Sequence, residues 1–195
     1  MTCPLHARSP RLLAAISVAA VAAFPPLCAT ASDRPSVAVG QTFLAGGLDP
    51  AAGSNGWALA SHGIAEGLFT VSREGTVVPQ LAAGATRNED GHWTVTLAKG
   101  RMFSDGTPVY AAAVAAALNR TVAQNPAARA TAGRIDFAVD GPLTLAVFTE
   151  RPTPILPSIL AEWPFKVYRR SSDDDFVFTG PYMVDRWERN AFIRL

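Results

Sequence analysis

The amino terminus decides which residues are available for folding. Residues 1–11 carry His6, Arg8 and Arg11 and no acid. Residues 12–24 are apolar apart from Ser17, a length suited to a secretory signal and too short to span a bilayer. Pro25 and Pro26 break the helix that such a run would form. Ala29-Thr30-Ala31 then supplies the small-x-small pattern that a signal peptidase reads, which places the cut before Ser32. Lipoprotein processing at Cys28 is disfavoured, because Pro25, Pro26 and Leu27 stand where small residues are needed. Residues 1–31 are read as a removable export signal, and the folding chain as the 164 residues that follow in a sequence of 195.

Export changes the chemistry on offer. Cys3 and Cys28, the two cysteines of the sequence, leave with the signal. The remaining chain then has no disulfide framework, thiolate metal site or cysteine nucleophile. Arg8 and Arg11 leave as well, so Lys+Arg falls from 17 to 15 against 16 acids, a formal charge of −1. No basic stripe remains for nucleic acid. The length suffices for one domain with a real core, and no second run is apolar enough to cross a membrane.

Hydrophobic period and turn residues predict a mixed order of helices and strands. Residues 36–43 alternate and read as a first strand. Trp57, Ala60 and Ile64 have helical spacing, and Gly67 is the expected stop. Residues 68–71 and 76–78 flank Arg73-Glu74-Gly75 as a hairpin. Asn88-Glu89-Asp90-Gly91 is a turn, and Trp93, Val95 and Leu97 alternate with threonines as a half-buried strand. Residues 111–123 are alanine-rich, with Val114, Leu118 and Val122 on one helical face, and Asn125-Pro126 ends that helix. A hairpin is expected over residues 135–148 around Asp140-Gly141-Pro142, and a short helix or turn over 155–160. Residues 169–175 read as a charged loop and 182–187 as a last strand. The alternation of residues 191–195 stops without a turn or polar tail, an edge expected to pair with a missing segment, and is read as a truncation.

Four segments, in order, carry a family resemblance. They are GLDPA from Gly47, IAEGLFTVSREGTVVPQLA from Ile64, NEDGHWTVTLAKGRMFSDGTPV from Asn88 and TGPYMVDRW from Thr179. Together they resemble the N-terminal part of family 5 extracytoplasmic solute-binding proteins, the peptide and nickel receptors of ABC importers. One departure is Tyr110-Ala111-Ala112-Ala113-Val114, where the family usually has Thr-Ala-Glu-Asp-Val. A helix cap and two first-turn acids are thereby lost. The resemblance implies a mixed α/β, type II periplasmic-binding-protein-like fold, present here as an incomplete first lobe with an inserted α+β subdomain. Residues 32–48 and 178–195 would be strands of that lobe, residues 49–177 the inserted subdomain, and the second lobe would be absent.

The resemblance also nominates a cleft. Ser54, Asn55, Gly56 and Trp57 follow the Leu-Asp-Pro segment, in a loop that borders the ligand in relatives. Their chemistry suits ligand contact. Glycine admits close backbone approach, Ser and Asn offer hydrogen bonds, and Trp offers a flat stacking face. The ordinary alternative is a loop anchored by Trp57 in the core. Lys166 or Arg169 is placed to meet a ligand carboxylate, against the alternative of a solvated cation. Tyr182 would stand near cleft and hinge, or pack in the core. Asp105-Gly106-Thr107-Pro108 is better read as a turn than as a site.

His62 and His92 lie 30 positions apart with no metal-ligand spacing, so no metal, cofactor or catalytic residue is expected. A Ser54–His62 hydrolase lacks the Gly-x-Ser-x-Gly elbow. The expected function is the extracytoplasmic substrate-binding component of an ABC importer. It would be a periplasmic monomer that takes a small peptide or metal-chelator ligand and hands it to an inner-membrane permease. The rival readings are an inactive truncated product and, less favoured, a secreted hydrolase.

Overall fold

Glycine, rather than the apolar pattern alone, sets where the first helix ends. A computed structural model describes residues 37–172, 175–189 and 191–195. The export signal expected over residues 1–31 lies outside them. In α1 (Asn55–Ser61) the helix stops well before Gly67. Gly63 adopts φ +71°. Its N–H bonds Ala60 O at 3.0 Å, and the Ile64 N–H bonds Leu59 O at 2.9 Å. This is a Schellman closure with its usual apolar contact, since Leu59 and Ile64 are both fully buried.

The first hairpin forms as expected from β1 (Phe69–Val71) and β2 (Val77–Pro79), in antiparallel register. Next come β3 (Ala82–Arg87), β4 (Trp93–Leu97), α2 (Ala111–Gln124) and α3 (Pro126–Ala132). The second hairpin is β5 (Ile135–Gly141) and β6 (Thr144–Thr149), followed by α4 (Leu156–Ala161). Two short hairpins close the described chain: β7 (Tyr168–Arg170) with β8 (Phe176–Phe178), and β9 (Arg186–Glu188) with β10 (Phe192–Arg194).

The central sheet is antiparallel with strand order β3-β4-β6-β5. Alternation along β4 buries Trp93, Val95 and Leu97 on one face, where they join Phe137, Leu145 and Val147. The apolar stripe of α2, Val114 and Leu118, covers that face. Tyr110 at its start makes no side-chain cap and the first turn holds no acid. A loop supplies one missing bond, Ala111 N–H to Pro142 O at 2.9 Å. Ala117, on another face of α2, enters a second cluster with Leu59, Ile64, Tyr168 and Phe178. One helix thus ties the sheet to the segment around α1.

Three expectations are corrected. The described part of the proposed first strand, residues 37–43, is not a strand. It has no ladder partner among the described residues, and Val37 and Val39 are exposed. The proposed loop at 169–175 instead begins inside β7, because Tyr168 to Arg170 pair with Phe178 to Phe176. The last strand is shorter than residues 182–187. Gly180 and Tyr182 give their N–H groups to Ile64 O and Gly63 O, so that stretch docks on the α1 turn instead of joining a sheet. The apolar alternation near residue 193 does pair, with β9.

Candidate functional site

The loop before α1 is held from beneath by α2. Arg120 donates from its two terminal nitrogens to the two oxygens of Asp49, each at 2.7 Å. Asp49 also accepts the Ala51 N–H at 3.0 Å, and its carbonyl accepts the Asn55 side-chain amide at 3.0 Å. Further along, Asn125 donates to Gly53 O at 3.0 Å. Arg120 also donates to the Tyr168 hydroxyl at 2.8 Å. Burial pushes the Asp49 carboxyl up, but Arg120, the Ala51 N–H and the charge of Arg170 outweigh it and hold it below the ordinary value.

That clamp sets the positions of Ser54, Asn55, Gly56 and Trp57. Ser54 is exposed and makes no capping bond. Asn55 is committed to the loop. Gly56 is buried, and a Cβ there would lie 2.9 Å from Trp163 O and 3.2 Å from Pro50 O, so only glycine fits. The same Cβ position is 3.7 Å from Lys166 Cγ, so the structure brings Gly56 and Lys166 together across 110 residues. Trp57 is 43% exposed. It packs on Phe43 with ring centroids 4.2 Å apart, and Phe43 stacks on His62 at 5.4 Å.

Lys166 is 6% exposed, but its ammonium is not among the buried unpartnered side-chain nitrogens of the described residues. Burial lowers its pKa, and the charge of Glu162 acts the other way. Arg169, the other expected ligand cation, is paired with Asp105 and lies over the Phe103 ring. The Asp105 loop is a turn: its carboxylate accepts the Thr107 N–H at 3.0 Å and Gly106 has φ +82°. Tyr182 is 54% exposed, with its ring over Gly63 at the opposite end of α1 from Ser54. Ser54 and His62 flank the same helix, about 12 Å apart at 1.5 Å per residue, too far for a nucleophile and base. No group of three or more metal-ligating side chains occurs among the described residues.

The family model for bacterial extracellular solute-binding proteins, family 5 middle region, matches residues 76–195, more than half of the chain. The chain belongs to this family. The glutathione-binding protein GsiB of Salmonella choleraesuis (strain SC-B67) is 32% identical over 94% of this chain. GsiB of Escherichia coli K12 is 31% identical over 86%. This chain spans 38% and 35% of those two relatives' lengths. A solved nickel ABC transporter protein from Bacillus halodurans superposes with TM-score 0.67 and 28% identity, covering 75% of this chain and 31% of that one. OppA of Burkholderia pseudomallei shares the fold, at TM-score 0.60 and 22% identity over 74% of this chain and 34% of its own. The mixed α/β architecture is thus that of family 5 solute-binding proteins, as the four sequence segments indicate.

Within this family 5 chain, Phe43 is a neighbour of Trp57 that the residue pattern did not nominate, and His62, weighed there only as a hydrolase base, stacks on it. His62 Nε2 is buried without a partner, and burial depresses its pKa from 6.5. The fold therefore favours the neutral ring. The unfolded chain takes up the proton first as pH falls through 6.5, so stability drops from there downward until the folded ring also protonates. Urea midpoints at pH 7.5 and 5.5 are expected to differ in that sense, and His62→Gln is expected to shrink the difference. An unchanged difference would refute the assignment.

Proposed function

We propose that this chain is the N-terminal part of the extracytoplasmic substrate-binding component of an ABC importer. It takes a small peptide or a nickel–chelator complex in the periplasm, where its signal would deliver it, and passes the ligand to an inner-membrane permease. It acts as a monomer and performs no catalysis. Residues 49–177 are the inserted subdomain of lobe one. Residues 32–48 and 178–195 belong to the body of that lobe, and the second lobe is absent from this chain. Ligand bridging the two lobes favours the closed form.

One observation carries this reading: the largely buried side chain of Lys166 runs beside Gly56, next to the exposed Trp57. A ligand carboxylate reaching Lys166 adds a counter-charge to that of Glu162. Trp57 offers a stacking face to the rest of the ligand, Ser54 a free hydroxyl, and Tyr182 a wall at the far end of α1. The names of the relatives suggest the probes: glutathione, mixed tripeptides, and nickel with histidine.

Calorimetry of the chain is expected to show weak, saturable binding of one of these probes. Lys166→Met is expected to weaken it about tenfold or more, since truncating a buried charge partner typically costs upwards of 1.4 kcal/mol. The same substitution should leave the urea midpoint unchanged or raise it, because it removes a desolvated charge of similar volume. An affinity that Lys166→Met leaves intact would sink the site. Tight binding by this chain alone would sink the need for a second lobe.

A further inference from the structure

A second charged pocket lies between α2 and β7, apart from the Trp57–Lys166 face. Its volume is about 270 Å³, and its cations are Arg120, Arg169 and Arg170. Ala113, Ala116 and Ala117 form the helical side, on the same face of α2 as Arg120. Three small side chains in succession leave room that larger ones would fill.

The second observation is independent of the pocket's shape. Among the described residues, three buried side-chain nitrogens or oxygens have no hydrogen-bond partner, and two of them are Arg120 Nε and Arg169 Nε. The terminal nitrogens of Arg120 are taken by Asp49 and Tyr168. A terminal nitrogen of Arg169 is taken by Asp105. Arg120 is thus held at both terminal nitrogens and Arg169 at one, while each Nε donor is unserved. An orphaned donor on a charged group is costly, and a guanidinium edge matches the geometry of an oxyanion. A purely structural role for the Asp49–Arg120 pair accounts for the fork of Arg120. It accounts for neither Nε donor and not for the alanine-lined space.

We propose that this pocket binds a small oxyanionic solute, a polycarboxylate or a phosphate, through Arg169 and the Nε edge of Arg120. The Arg169 side chain is 35% accessible, so its rotation opens its own Nε to an anion. The volume lies just below the range of sites for whole drug-sized ligands, about 300–1,000 Å³, so a compact polyanion fits better than a peptide.

The test is a calorimetric titration of the chain with citrate and, separately, with inorganic phosphate, at constant ionic strength set by chloride. Saturable binding of either anion is expected. Response to citrate alone assigns a carboxylate solute, and response to phosphate alone a phosphorylated one. Arg169→Gln is expected to weaken binding about tenfold, as loss of a charge-assisted contact does. Lys166→Met should leave it unchanged, which separates this pocket from the peptide or chelate site. No saturable response, undiminished binding by Arg169→Gln, or an equal loss in Lys166→Met would each overturn the proposal.

Discussion

Gly180→Ala is expected to destabilise the chain by about 3 kcal/mol, at the upper end of what overpacking usually costs. The reason is backbone against backbone. A Cβ at Gly180 would lie 2.3 Å from Gly63 O and 2.5 Å from both Ile64 C and Ile64 O. No rotamer change relieves a contact with main-chain atoms. The Gly180 N–H also donates to Ile64 O at 2.9 Å, so any shift that admits the methyl group loses that bond. Neighbouring contacts depend on the same approach: Glu66 N–H to Thr179 Oγ1 at 3.3 Å, and the Tyr182 ring over Gly63. Gly84→Ala is the control, because a Cβ there meets nothing within 4 Å. Urea unfolding of both variants decides the matter. A Gly180→Ala midpoint equal to that of Gly84→Ala would mean that residues 179–182 are not docked as described.

The elements legible in the sequence are those whose local signals and tertiary environment agree. The stripe Val114–Leu118–Val122 is apolar in a run of alanines, and α2 forms over it. Thr and apolar residues alternate along β4, and each hairpin that the turn residues marked is present. The missed elements are imposed from outside. The β3 segment AAGATR has neither alternation nor β-branched character to speak of, and becomes a strand by pairing with β4. Asn125-Pro126 is legible as a stop but is also a start. The Asn125 Oδ1 accepts the Ala127 and Ala128 N–H groups, and Pro126 occupies the first turn of α3. Alternation over residues 36–43 overstates a strand, because alternation without a partner is only a pattern.

The candidate site divides in the same way. Ser54, Asn55, Gly56 and Trp57 are contiguous and can be singled out from residue types in one short loop. Lys166 is pointed to by the resemblance alone, since no period or spacing links it to Gly56. The Asp49–Arg120 pair joins residues 71 apart, and nothing local to either one announces the other. What makes the loop look like a site is visible in the sequence. What holds it in place is not, because a clamp built from a distant helix leaves no mark in its own neighbourhood.

That clamp yields the second large effect. Arg120→Met is expected to destabilise the chain by about 2–3 kcal/mol, between an exposed ion pair at under 1 and a fully buried one at 3–5. The intermediate figure follows from exposure: the Arg120 and Asp49 side chains are 17% and 30% accessible. Removing the arginine strands a half-buried carboxylate and takes a donor from the Tyr168 hydroxyl. Asp49→Asn should cost less, because the amide still accepts from Ala51 N–H. The pH dependence tests the cause. Asp49 titrates lower in the fold than its ordinary 3.8, so its contribution is full above 3.8 and is lost as pH falls through the folded value. The gap between the native chain and Asp49→Asn should therefore be largest near pH 7 and narrow below pH 4. A double-mutant cycle isolates the pair, with coupling expected at pH 7 and reduced at pH 3. Equal coupling at both pH values would show that Arg120 acts through packing on Tyr168 and Phe176, over whose rings it lies, rather than through the Asp49 charge. In either outcome the loop bearing Ser54 to Trp57 is the reporter. Trp57 is exposed and stacked on Phe43, so loosening of the clamp should change its fluorescence before the sheet unfolds.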